Sequence, residues 1–132
     1  MSLVRIIRYG LLLWLIGFVV AFIEIYLVAP ATVVRVIFYG ENIVLAVLFT
    51  GLFFARLQNV FTMRTVAEVL GLWIALELVL DLAVFWWFYN LPFATVISLE
   101  TIIGFAVMLC AGLATGWFIS MQRKIEKPEG LA

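Results

Sequence analysis

Apolar residues fill this chain in four long stretches, at residues 6–29, 36–55, 66–89 and 93–121, separated by short polar breaks. Each stretch meets the roughly 20 helical residues needed to cross a hydrocarbon core of about 30 Å. The breaks fall where helix-ending chemistry is expected. Pro30 closes the first stretch, Gln58 and Asn59 follow the second, and Asn90, Leu91 and Pro92 make a tight third turn. These connections are too short to hold a soluble domain, so neighbouring helices are expected to run antiparallel. The pattern predicts an all-α fold, a four-transmembrane-helix up-down-up-down bundle. It forms a single membrane domain over residues 1–132, with a polar, frayed tail at 124–132.

Composition fixes the solvent. Of 132 residues, 67% are hydrophobic and 12% charged, about half the charged share of a soluble protein. A small soluble domain keeps much of its area in water and could not hide so much apolar surface. The expected partner is the lipid bilayer, and the expected location is the cell membrane as a multi-pass protein. Residues 6–29, with Arg5 and Arg8 ahead and Ala29-Pro30-Ala31 behind, imitate a signal peptide. The run is too long for a signal core and is interrupted by Glu24, so a retained helix is expected.

Basic residues give the orientation. Arg5, Arg8, Arg56, Arg64, Arg123, Lys124 and Lys127 fall on one side and only Arg35 on the other, which predicts that both termini are cytoplasmic. Tyr26, Tyr39, Trp86, Trp87 and Tyr89 then gather at the outer interface. Gly10 and Gly17 precede Glu24 at seven-residue spacing, giving the first helix one small face that ends in an acid. Gly112 and Gly116 form a GxxxG spacing in the fourth, suited to close backbone approach either within the chain or in a homo-oligomer. The Pro30 and Pro92 turns open similar sequences, but the acids around them do not align as a repeat.

Six carboxylates occupy the spans or their edges. Glu68 follows Arg64 by four residues and reads as a local ion pair. The others are harder to place, because an acid at a helix centre costs about 2.5–3.5 kcal/mol. At about 1.5 Å per residue from the outer ends, Glu24 and Glu41 lie roughly 7–8 Å deep, Asp81 and Glu100 near 10 Å, and Glu77 near 16 Å. Glu100 is shallower if residues 93–98 lie along the interface. Glu77 and Asp81, four apart, share a face. Arg35 is the only cation at comparable depth. Five carboxylates cannot all stay charged beside one arginine in a dry bundle. Shared protons, a bound cation or a water-filled vestibule would relieve the excess, and so would bonding to a neighbouring helix or a partner subunit. A bound cation would be a hard one, sodium, magnesium, calcium or manganese, on carboxylates with oxygens of Thr32, Asn42, Thr95 or Thr101.

The net charge is zero, which offers nothing to nucleic acid. With no histidine and one cysteine, the chain lacks the usual haem ligand, an internal disulfide and any multi-cysteine metal site. Cys110 reads as a small buried apolar residue. No phosphate loop, catalytic triad or metalloprotease motif appears, and the chain is expected not to be an enzyme or to carry an organic cofactor.

Two stretches carry a resemblance. One runs from Tyr9-Gly10 through Trp14-Leu15 to Phe22. The other runs from Glu68 through Trp73 to Leu80-Asp81-Leu82 and Phe85. They resemble a family of small four-helix integral membrane proteins of bacteria and archaea whose function is not known. The resemblance implies the same topology and marks Glu68, Trp73 and Asp81. The sequence departs from that family in having Gly17 where proline is commoner, and Glu77 as an additional acid. The functional expectation is a small membrane protein that binds or relays a cation or protons through Glu24, Glu41, Glu77, Asp81 and Glu100, as a homo-oligomer. The alternative is a non-catalytic accessory subunit of a larger membrane complex.

Overall fold

In the computed structural model residues 1–26, 30–57 and 59–126 are described. Gln58, the Tyr26 side chain, Lys127 and the rest of the tail lie outside the described residues. The chain forms α1 (Leu3–Tyr26), α2 (Ala31–Ala55), α3 (Met63–Asp81), a π-helical continuation of α3 (Leu82–Phe88), a single turn α4 (Phe93–Val96) and α5 (Leu99–Glu126). Four helical segments are long and apolar enough to cross a membrane: Leu3–Glu24, Ala31–Ala55, Met63–Phe88 and Phe93–Glu126. No strand occurs among the described residues.

Local chemistry sets the boundaries. Pro30 and Pro92 each stand immediately before a helix, where a missing N–H costs nothing. The Thr62 hydroxyl caps α3 by accepting from the Thr65 N–H at 3.3 Å. Asn90 takes a left-handed backbone, φ 53°, and reverses the chain between the third and fourth helices. The first and third helices begin three residues earlier than expected, at Leu3 and Met63, and three other boundaries shift charged residues or break a helix. The second helix starts at Ala31, which brings Arg35 inside it. The last helix runs on to Glu126, so Lys124 is helical rather than frayed. The fourth stretch is broken at Ile97 and Ser98. The Thr101 hydroxyl donates back to the Val96 carbonyl, and Ser98 Oγ accepts from the Thr101 N–H, so α5 restarts with its own cap.

Contacts give the helix directions. The Trp73 indole donates to the Ile6 carbonyl and the Trp14 indole to Asp81, both at 2.9 Å and both across 67 residues, so α1 and α3 run parallel. Gly104 lies against Phe38, and Gly112 against Thr50, so α2 and α5 are parallel too. Gly112 meets Leu70 while Gly116 meets Val66, an antiparallel register for α3 and α5. Around the bundle the order is α1, α2, α5, α3, and the α2–α5 interface is the most extensive. Helices that follow one another in sequence are antiparallel, as expected. The link from α2 to α3 crosses the diagonal, however, so two of the four packed interfaces are parallel.

The two ends of the bundle differ in density. Toward the end bearing Arg5, Arg56 and Arg123, a continuous core contains Ile6, Phe49, Phe53, Phe54, Val66, Leu70 and Trp73. Rings meet edge to face there, Tyr9 on Phe53 at 5.3 Å and Phe53 on Trp73 at 5.5 Å. Gly112 and Gly116 seat α3 against α5, a contact made within the chain. Gly10 does the same for α1 against Trp73. Arg123 closes this end by donating to the carbonyls of Phe54, Ala55 and Asn59 at the end of α2 and in its following turn, the first of which also accepts from the Leu57 N–H. Toward the opposite end, residues 82–88 include no buried side chain. Cys110 corrects an expectation: it is exposed, on the outward side of α5, because Gly104, Met108, Gly112 and Gly116 take the inward face.

Candidate functional site: an acid-lined cavity

The half away from that core contains a partly open cavity of about 290 Å³ to which all four long helices contribute. Its polar wall contains Glu41 and Asn42 from α2, Glu77 and Asp81 from α3, and Thr101 from α5, with Thr95 at its edge. The rest is aromatic and aliphatic carbon.

Each acid is placed by its helix. Trp73, Glu77 and Asp81 succeed one another by four residues along α3. Trp73 is 1% exposed and tied to Ile6, which fixes the rotation of α3 and turns the next two positions of the stripe into the cavity. Asp81 accepts from the Trp14 indole, linking α3 to α1. Immediately beyond Asp81 the helix widens into π geometry, with the Tyr89 N–H reaching the Val84 carbonyl. On α2, Glu41 passes over the bare backbone of Gly17: its Oε1 lies 3.8 Å from where a Cβ would stand. An added methyl at residue 17 would only touch that carboxylate in ordinary van der Waals contact.

Glu24, two turns beyond Gly17, is 9% exposed and stands within hydrogen-bonding reach of Glu41. Among the described residues its Oε1 has no partner. Glu77 is in turn close enough to interact electrostatically with both Asp81 and Glu41. Glu41, Glu77 and Asp81 share one cavity, and Glu24 on α1 stands behind Glu41. No lysine or arginine lines the cavity among the described residues.

Glu100 does not join them. It sits in the first turn of α5, where a negative charge favours the helix, and faces Arg35 at 3.6 Å with both side chains well exposed. The break at Ser98 puts it on the outside. Glu68 pairs with Arg64 at 2.9 Å, as its spacing predicts. Of the four oxygens proposed as companions to the acids, Asn42, Thr95 and Thr101 line the cavity, whereas Thr32 is exposed and does not. The Asn42 amide spends its N–H on the Phe38 carbonyl one turn back. Among the described residues no three His, Cys, Asp or Glu side chains close round one point as a metal's donor set.

Sequence reasoning missed the aromatic half of this site. Trp14, Phe18, Phe38, Phe85 and Phe105 all line the cavity. A signal existed for Trp14, which shares the face of α1 defined by Gly10, Gly17 and Ala21. The phenylalanines carry none, because in an apolar helix they look the same facing lipid or cavity. No family model matches the chain, and no curated protein or solved structure matches it either.

Proposed function

We propose that this is a multi-pass protein of the cell membrane, with both termini cytoplasmic, whose outer-half carboxylates bind or relay protons or a cation. The observation that carries this reading is the convergence of Glu41, Glu77 and Asp81 on one cavity that no basic side chain lines among the described residues. Ionisable groups inside a membrane are costly, and they persist where they line a pathway or exchange protons. Glu24 extends the set toward the outer end. Glu100, turned outward to Arg35, has no part in it. Relay through a homo-oligomer is compatible with the proposal, since the cavity is complete within one chain and each copy would carry its own.

The test is flux in proteoliposomes. Wild type should carry protons or a monovalent cation down an imposed gradient, and Glu77→Gln and Asp81→Asn should each reduce that rate by at least about tenfold, the loss of one acid–base group. Equal rates in all three proteins and in empty liposomes would end the proposal. A second reading has one observation in its favour. The Trp14–Asp81 bond uses a carboxylate to join two helices, as an accessory or assembly subunit of a larger complex would. Under that reading Asp81→Asn lowers stability and leaves flux at the empty-liposome level throughout.

A further inference from the structure

We propose that the cavity accommodates a lipophilic organic monocation, of the size and kind of a benzylic quaternary ammonium ion. Glu41, Glu77 and Asp81 balance its charge, and aromatic walls hold its carbon skeleton. The inference rests on the carboxylate reading above and adds the class of ligand.

Size is the first argument. A volume of about 290 Å³ equals that of about ten waters at roughly 30 Å³ each, and it stands at the lower edge of small-molecule sites. A proton or a bare inorganic ion needs far less room. A metal ion also needs donors on every side, whereas here most of the wall is carbon. The walls are the second argument. Each long helix supplies an aromatic ring: Trp14 and Phe18 from α1, Phe38 from α2, Phe85 from the π-helical end of α3 and Phe105 from α5. Trp14 stacks on Phe18 at 5.2 Å, and Phe18 packs on Phe85 at 5.7 Å, so a cluster of three rings stands beside Asp81. Ring faces attract an alkylammonium within about 6 Å, indole most strongly, and the attraction grows when water is excluded. The third argument is Glu24. Its buried Oε1 lacks a partner among the described residues, and the side chain leans on Glu41, whose carboxylate lines the cavity. Glu24 does not itself line the cavity, so what it adds to the site is a second acid standing behind Glu41. Rings and carboxylates together, with no basic residue between them, suit a guest that is at once apolar and positive.

The test separates the two halves of that description using three soluble probes on the purified full-length protein in detergent. Isothermal titration would compare benzyltrimethylammonium, which has both ring and charge, with tetramethylammonium (charge alone) and benzyl alcohol (ring alone). Benzyltrimethylammonium should bind saturably, one per chain, at least about tenfold more tightly than either of the others. Glu77→Gln should weaken it by a similar factor, and Phe105→Leu by several-fold. The wild-type comparison decides the matter even where a variant fails to fold. Equal affinity for tetramethylammonium would make the cavity a simple cation site, equal affinity for benzyl alcohol a greasy pocket, and no saturable binding an empty one. Each of those results overturns the inference. Proton flux measured in parallel tells the two claims apart. Flux that depends on Glu77 in a protein deaf to benzyltrimethylammonium sinks the ligand class alone, whereas binding without any flux sinks the relay and keeps the site.

Discussion

Replacing Gly116 by alanine should loosen the bundle, and the structure says by how much. A Cβ at residue 116 would stand 2.5 Å from Val66 Cγ1, 2.8 Å from Cγ2 and 3.2 Å from Cβ. Carbon atoms prefer about 3.5–4.0 Å, so α3 and α5 would have to part by about 1 Å. Val66 cannot swing aside, because a valine in a helix has one strongly favoured rotamer. Overpacking of this kind costs about 1–3 kcal/mol. The gain of about 1 kcal/mol from alanine's better helix propensity offsets part of it, leaving a net loss of about 0–2 kcal/mol against wild type and about 1–3 kcal/mol against an unhindered Gly→Ala change. Gly51→Ala is the control, since nothing lies within 4 Å of its added carbon. Stability would be measured by titrating the purified protein in mixed micelles with dodecyl sulfate and following tryptophan fluorescence. Val66→Ala should relieve Gly116→Ala, giving a coupling of at least about 1 kcal/mol in a double-mutant cycle. If Gly116→Ala proves as stable as Gly51→Ala, the close α3–α5 contact is wrong.

Other outcomes follow from the same contacts. Trp73→Phe removes the buried indole that donates to Ile6 and should cost about 1–3 kcal/mol in the same titration, from the lost hydrogen bond and the space the smaller ring leaves. Arg123→Met strips three carbonyls of a charged donor and should destabilise by about 1–2 kcal/mol, a discounted figure because this end is partly exposed; Arg123→Lys should recover only part of it. Arg35→Gln should change stability by less than about 1 kcal/mol, since its ion pair with Glu100 is long and exposed. In a Cys110→Ala background, Lys124→Cys and Phe93→Cys should be labelled by a charged maleimide from opposite faces of sealed vesicles, cytoplasmic and external respectively; labelling from the same face would refute the four-span topology.

The four helices were legible because apolar length is a nearly sufficient signal in a chain with so few charges. The Arg64–Glu68 pair and the shared face of Glu77 and Asp81 were legible for a similar reason: both depend on helical spacing alone. Placement around the bundle was not. The diagonal crossing from α2 to α3 depends on which faces fit, and with lipid as solvent both faces of a helix are apolar. That is why Cys110 was misjudged and why the aromatic wall of the cavity went unread. Glu100 was counted with the deep acids on residue number. The Ser98 cap, which ends one helix and starts another, moves it outside. Gly17 was read as a packing residue. Its neighbours on α2, the Glu41 carboxylate at 3.8 Å and Leu45 at 4.0 Å from an added Cβ, are visible only once α1 and α2 are side by side.

The central claim is that the carboxylates facing the cavity, and not acidity in general, give this protein its activity. Flux through matched proteoliposomes of Glu77→Gln and Glu100→Gln tests it most directly, because each variant removes one carboxyl group from the same half of the molecule. The account predicts flux falling toward the empty-liposome rate in Glu77→Gln and unchanged in Glu100→Gln. Equal behaviour of the two variants, whether both active or both silent, would contradict it.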